Sequence, residues 1–73
     1  MPLSTLEKLR QGQSVSMAHF QIAADVAGID HRAIGSSYRL SHNGHRAFIS
    51  QHAETVSIKS VPDLKNVIES ALA

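Results

Sequence analysis

The chain has 73 residues, among them seven Lys or Arg, six Asp or Glu and no cysteine, and its formal net charge is +1 at pH 7. This length predicts a single domain, residues 1–73, with a small core, and the lack of cysteine excludes disulfides and thiolate metal sites. No apolar run approaches the roughly 20 residues that span a bilayer, and charges interrupt the N-terminal stretch where a signal peptide is apolar, so we expect a cytoplasmic protein without membrane contact.

The first predicted element is a short helix over about residues 5 to 11. Ser4 and Glu7 form an S-x-x-E capping box, Leu6 and Leu9 fall on one face, and Gly12 is a natural stop. A helix this short is not stable alone, so its apolar face must pack on the rest of the domain.

Residues 14–37 allow two interpretations. As a helix, the segment SVSMAHFQIAADVAG ends at Gly28 and has an apolar side formed by Phe20, Ala23, Ala24 and Ala27. As a strand, it alternates at Phe20, Ile22, Ala24 and Val26. The alanines and the length favour the helix.

The next segment, SYRLSHNGHRAFIS, predicts a β-hairpin. Asn43 and Gly44 suit a type I′ turn, because both central positions of that turn need φ > 0. A two-residue turn sets the register, which pairs His42 with His45, Leu40 with Ala47, Tyr38 with Ile49 and, on the opposite face, Arg39 with Phe48. The short segment TVSIKS alternates at Val56 and Ile58 and is a candidate third strand for this hairpin.

The last segment, SVPDLKNVIESALA, predicts an amphipathic helix with Ser60 as its cap and Pro62 and Asp63 in its first turn. Its apolar stripe comprises Leu64, Val67, Ile68, Ala71 and Leu72. The predicted fold class is therefore α+β: a short N-terminal helix, a helical middle, a β-hairpin with a possible third strand, and a C-terminal amphipathic helix.

The segment QIAADVAGIDHRAIGSSYR, residues 21–39, resembles a helix-turn-helix. Ala24 fits the position where two helices cross closely, Gly28 fits the turn, and Ile29 and Ile34 fit the apolar positions that anchor the second helix. Asp30 would cap that second helix. The resemblance implies that the second helix enters a DNA major groove and presents His31, Arg32, Ser36, Ser37 and Arg39. The same segment also allows a buried helix, a loop and a strand with no role in DNA binding.

The hairpin after this segment is then similar to the wing of winged-helix proteins. The resemblance implies that its tip contacts phosphates through His42, Asn43, Gly44, His45 and Arg46. The charge distribution agrees with an anionic partner, since residues 31–53 contain three arginines, four histidines and no carboxylate.

Other chemistry has little support in the sequence. His42 and His45 face each other across the turn, but no nearby cysteine or carboxylate completes a four-ligand site, so we expect no metal. We also expect no cofactor and no enzymatic activity, because nucleophile and phosphate-loop motifs are absent and the chain is too small to enclose a substrate pocket of usual size.

Two functions remain open at this point. The first is a small DNA-binding regulator of phage or mobile-element type, expected to be a homodimer because a small aliphatic core gains from burying more surface. The alternative is a protein-binding module or inhibitor that acts through an exposed hairpin or sheet edge. The state of residues 17–38 distinguishes them: two helices favour DNA, and a strand favours a sheet-based binder.

Overall fold

The computed structural model describes residues 2–73, with side chains from residue 4 onward. Within these residues the elements are α1 (Pro2–Arg10), β1 (Val15–Ser16), α2 (Met17–Ala27), β2 (Asp30–Ile34), β3 (Ser37–His42), β4 (His45–Ser50), β5 (Thr55–Val56) and α3 (Leu64–Leu72). The predicted α+β class is confirmed, with three helices and two small antiparallel sheets in the described part of the chain.

Helix α2 confirms the helical interpretation of its segment. Ser16 caps its N-terminus by accepting a hydrogen bond from the backbone N–H of His19 at 3.2 Å. Gly28 ends the helix with φ 78°, in the left-handed region where glycine carries no Cβ penalty. Phe20 and Ala24 are buried on its inner side.

The predicted hairpin is confirmed in its turn and in its register. Asn43 and Gly44 have φ of 53° and 87°, as a type I′ turn requires. Strands β3 and β4 pair antiparallel with His42 opposite His45 and Arg39 opposite Phe48.

The third strand of this sheet was predicted from the wrong segment. Strand β2 pairs with β3, so the sheet order is β2-β3-β4. The segment TVSIKS instead contributes only Thr55–Val56, which pairs with Val15–Ser16 in a separate two-stranded sheet. Val56 is buried as expected, but the strand that carries it packs against α2 and β1.

Two predicted helix starts were also wrong. Helix α1 begins at Pro2, so Ser4 lies in its first turn and is not the N-cap. Helix α3 begins at Leu64 after Asp63, whose side chain makes no capping hydrogen bond. The predicted cap, Ser60, instead contacts Ser57 in the preceding turn, Oγ to Oγ at 3.2 Å.

The three helices lie on one face of the three-stranded sheet and enclose the core with it. Helix α3 packs on β3 and β4, α2 contacts β2, and α1 packs against α2 and α3. The buried hydrophobic residues are Leu6, Leu9, Phe20, Ala23, Ala24, Ile29, Leu40, Ala47, Ile49, Val56, Leu64, Val67 and Ile68. Among the described helices none is long and apolar enough to cross a bilayer.

Candidate functional site

The recognition helix implied by the helix-turn-helix resemblance is not present. Residues 30–34 form β2 and residues 37–42 form β3, joined by the two-residue turn Gly35-Ser36. Ala24 and Ile29 are buried, as the resemblance requires, but Ile34 is 44% exposed and anchors no helix. Gly35 and two serines make this segment a poor helix, whereas glycine at the first central position, with φ 57°, suits a tight hairpin turn.

The three-stranded sheet leaves one face open. Side chains alternate between faces along each strand, and residues directly opposite in the register share a face. The face turned away from the helices, here named the outer face, therefore carries Asp30, Arg32, Ile34, Ser37, Arg39, Ser41, Arg46, Phe48 and Ser50. None of these nine residues is buried.

The middle of the outer face is a row of two arginines and a phenylalanine. Arg32 pairs with Arg39 across β2 and β3, and Arg39 pairs with Phe48 across β3 and β4. Arg46 stands two residues before Phe48 on β4, on the same face. The phenylalanine side chain thus has an arginine beside it across the sheet and another along its own strand.

The outer face is cationic because carboxylates are scarce on it. Asp30 is the only acidic residue in the three strands. In the described part of the chain, ion pairs join Arg10 to Glu7 and Lys65 to Glu69, and His31 contacts Asp25. None of these contacts includes an arginine of the outer face. The guanidinium groups of Arg32, Arg39 and Arg46 therefore remain available to an external anion.

Two features of this row are energetically unfavourable in the protein without a bound ligand. Like charges directly opposite on neighbouring strands are destabilising, and Arg32 and Arg39 are such a pair. Phe48 is 57% exposed although it lies in the middle of a strand. A bound polyanion with an apolar flat component would relieve both, because it supplies opposite charge and covers the ring.

The remaining predicted site residues are divided among three places. His31 and His42 lie on the inner face: His31 Nε2 is 2.5 Å from Asp25 Oδ1 of α2, and His42 Nδ1 is 2.8 Å from Ser70 Oγ of α3. Ser36 is in the turn between β2 and β3. Asn43 and His45 are exposed at the hairpin tip. Thus Arg32, Ser37, Arg39 and Arg46 are the members of the predicted set that come together on the outer face.

Phe48 is the residue that the sequence argument left out of the site. The signal was its place in the alternation of β4. Ala47 and Ile49 are buried core positions on this strand, so the residue between them points to the opposite face of the sheet. An aromatic residue at a polar-face position, directly opposite an arginine, is the pattern that identifies it.

A second concave region lies away from the outer face. A surface cavity of about 480 Å³ is lined by α1, residues 13–16 and α2, with Lys8 and His19 among its polar side chains. Ser16 Oγ lies 2.7 Å from His19 Nδ1, a contact that accompanies the helix cap. Across the described residues, no group of three or more His, Cys, Asp or Glu is arranged to hold a metal ion.

Comparison with known proteins gives no external assignment for these residues. No protein-family model matches the chain, and neither the curated proteins nor the solved structures compared with it gave a match. The chemistry of the outer face itself is therefore the basis for inferring what it binds.

Proposed function

We propose that this protein binds nucleic acid through the outer face of its three-stranded sheet. The observation that carries the proposal is the row Arg32, Arg39 and Phe48, together with the neighbouring Arg46. Guanidinium groups bind phosphate oxygens with charge-assisted hydrogen bonds, and their fork geometry suits this ligand. A role as a phage or mobile-element regulator, and a homodimeric state, stay predictions.

Residues 30–34 are a strand, which is the state that the sequence analysis associated with a sheet-based protein binder. The proposal therefore retains nucleic acid as the partner on different grounds, the charge of the outer face, and with a different docking element. Arg32 and Arg39 were predicted to project from a recognition helix into a major groove, and they stand instead on adjacent strands of an open sheet. Sheets also present basic side chains to nucleic acid, so loss of the helix does not remove the partner. What supports nucleic acid here is three unpaired arginines on one face that carries a single carboxylate, Asp30.

A protein partner is the second candidate, because β2 and β4 each have a strand on only one side in the described structure. Such an edge offers backbone groups to an added strand. However, Asp30 and Arg32 place charges on β2 and Arg46 places one on β4, and charged side chains on edge strands are a common means of preventing strand addition. The open face therefore favours nucleic acid over strand addition.

Fluorescence anisotropy with labelled oligonucleotides tests the proposal. Arg32→Ala and Arg39→Ala are each expected to weaken binding by about 5- to 100-fold, because a hydrogen bond to a charged group contributes about 1.5–3 kcal/mol where it is desolvated and less where it is exposed. Arg10→Ala is the matched control, since Arg10 is on α1 and pairs with Glu7.

All three variants lower the formal net charge from +1 to 0. A difference between them therefore reports the position of the arginine and not the total charge. If Arg10→Ala weakens binding as much as the outer-face variants do, or if the wild-type protein binds no oligonucleotide, the outer face is not a nucleic-acid site. Binding of a protein partner that survives both outer-face substitutions would favour the strand-addition alternative.

A further inference from the structure

From the position of Phe48 we infer that the nucleic acid recognised by the outer face is single-stranded, with an unpaired base stacked on this ring. The inference rests on the proposed function and adds to it the class of nucleic acid and the residue that selects it. The shared ligand chemistry is a sugar-phosphate strand with unpaired bases, whether DNA or RNA.

The surroundings of Phe48 fit a base with its two flanking phosphates. Arg39 is its direct cross-strand neighbour, about one strand spacing of 4.8 Å away in the hydrogen-bonding direction. Arg46 is two residues back on the same strand, about 7 Å away. A ring with cations on two sides can stack a base while both arginines contact the backbone that carries it.

A double helix is a poor ligand for this arrangement of an aromatic ring and two arginines. Paired bases are stacked on one another, so a duplex presents only phosphates, sugars and the edges of its bases to a protein. The flat side of an aromatic ring gains its stacking contact only from a base that has left the stack. The uncharged polar residues of the outer face are Ser37, Ser41 and Ser50. Their side chains are too small to cover the ring of Phe48, which is 57% exposed.

The exposed fraction of Phe48 also argues against a purely structural role. At 57% exposure its ring contributes little to the core, and the buried residues on either side, Ala47 and Ile49, already hold β4 against the helices. Of the exposed large hydrophobic residues, only Phe48 and Ile34 lie on the outer face, and Ile34 is at its far corner opposite Ser37.

The experiment compares four probes in the same anisotropy assay. They are an oligothymidylate and an oligouridylate of about 12 nucleotides, a duplex of equal length, and an abasic strand of equal length. The abasic strand retains the phosphates and lacks the bases. The wild-type protein is expected to bind at least one of the two base-carrying single strands about 5- to 150-fold more tightly than the abasic strand, and more tightly than the duplex.

The variant Phe48→Leu keeps an apolar side chain but removes the aromatic face. It is expected to reduce binding of the single strand to the level of the abasic strand, whereas Phe48→Tyr retains binding. Ile22→Ala on α2 is the matched control, because Ile22 is 56% exposed and lies on a helix that packs on the side of the sheet away from the outer face. Circular dichroism of each variant verifies that the fold is retained.

The outcomes separate this inference from the proposed function. If duplex and abasic strands bind as tightly as the base-carrying strands, and Phe48→Leu binds normally while the arginine variants do not, the stacking inference is wrong and the proposed function stands. If no probe binds, both are wrong. If an acidic peptide, added to the same assay as a fifth probe, binds more tightly than any oligonucleotide, the face recognises a protein and both are also wrong.

Discussion

At the residue scale, the opposed arginines in the middle of the sheet link stability to binding. Arg32 and Arg39 repel each other in the free protein, so removing one charge is expected to raise the free energy of unfolding by about 0.2–1 kcal/mol. The test is Arg32→Gln in a urea titration, with oligonucleotide affinity measured on the same sample. We expect stability to rise while affinity falls.

The matched control for this prediction is Arg46→Gln. Arg46 stands opposite Ser41 and has no cation in its cross-strand position, so its replacement is expected to leave stability unchanged. An equal gain in both variants would mean that general charge reduction, and not the opposed pair, sets the effect.

Gly28 makes a second prediction at this scale. Its φ of 78° lies in the left-handed region, and an added Cβ would meet no atom within 4 Å, so the cost of Gly28→Ala is one of backbone conformation alone. We expect a loss of about 1–2 kcal/mol in unfolding free energy, measured by thermal or urea denaturation. Gly28→Asn should lose less, because asparagine tolerates this conformation better; equal losses would contradict the explanation.

At the element scale, local sequence signals were sufficient to predict the elements whose structure depends mainly on their own residues. Asn43-Gly44 gave the hairpin register, and Ser16 and Gly28 enclose the helix α2 that the alanines favoured. Strand β2 was missed because its own apolar alternation is weak, although its partner β3 follows directly after a two-residue turn. The Gly35-Ser36 pair was the available signal, since glycine followed by serine is a known two-residue hairpin turn.

The outer-face site was predictable from the sequence in its residue types but not in its geometry. The three arginines of the outer face were already candidate partner-binding residues in the sequence, because they lie in a cationic segment without carboxylates. Their common face was not predicted, because it depends on whether residues 30–34 are helix or strand. His42 was expected to be exposed at the hairpin tip, but α3 packs on this end of the sheet and Ser70 contacts its ring.

Helix α3 gives the prediction for the core. Ile68 is fully buried on the face that packs against β3 and β4, so Ile68→Ala leaves a cavity and should cost about 2–5 kcal/mol of unfolding free energy. Leu72 near the end of the same helix is only partly buried, so Leu72→Ala should cost less. Chemical denaturation of both variants measures the difference, and equal losses would show that the helix is not anchored through Ile68.

At the scale of the whole molecule, the small net charge conceals a separation of charge. The three-stranded sheet contains three of the seven Lys and Arg residues and one of the six acids, so its strands carry +2 and the rest of the chain carries −1. A protein with net charge near zero avoids indiscriminate attraction to polyanions, while a local cationic face still directs an anionic ligand to one side.

The expected homodimer, which sedimentation velocity would detect, would double the number of such faces in one particle.

This separation predicts a modest salt dependence of binding. If three arginines each neutralise one phosphate, the logarithm of the association constant should fall with the logarithm of salt concentration with a slope of about −2 for a single strand, at roughly 0.7 per contact. Arg46→Ala should reduce the steepness by about 0.7, because one phosphate contact is lost. Phe48→Leu should lower affinity at every salt concentration and leave the slope unchanged, because stacking releases no counterions. Anisotropy titrations over a salt series measure these slopes. If Arg46→Ala leaves the slope unaffected, or if Phe48→Leu changes it, the proposed division of roles between charge and stacking is wrong.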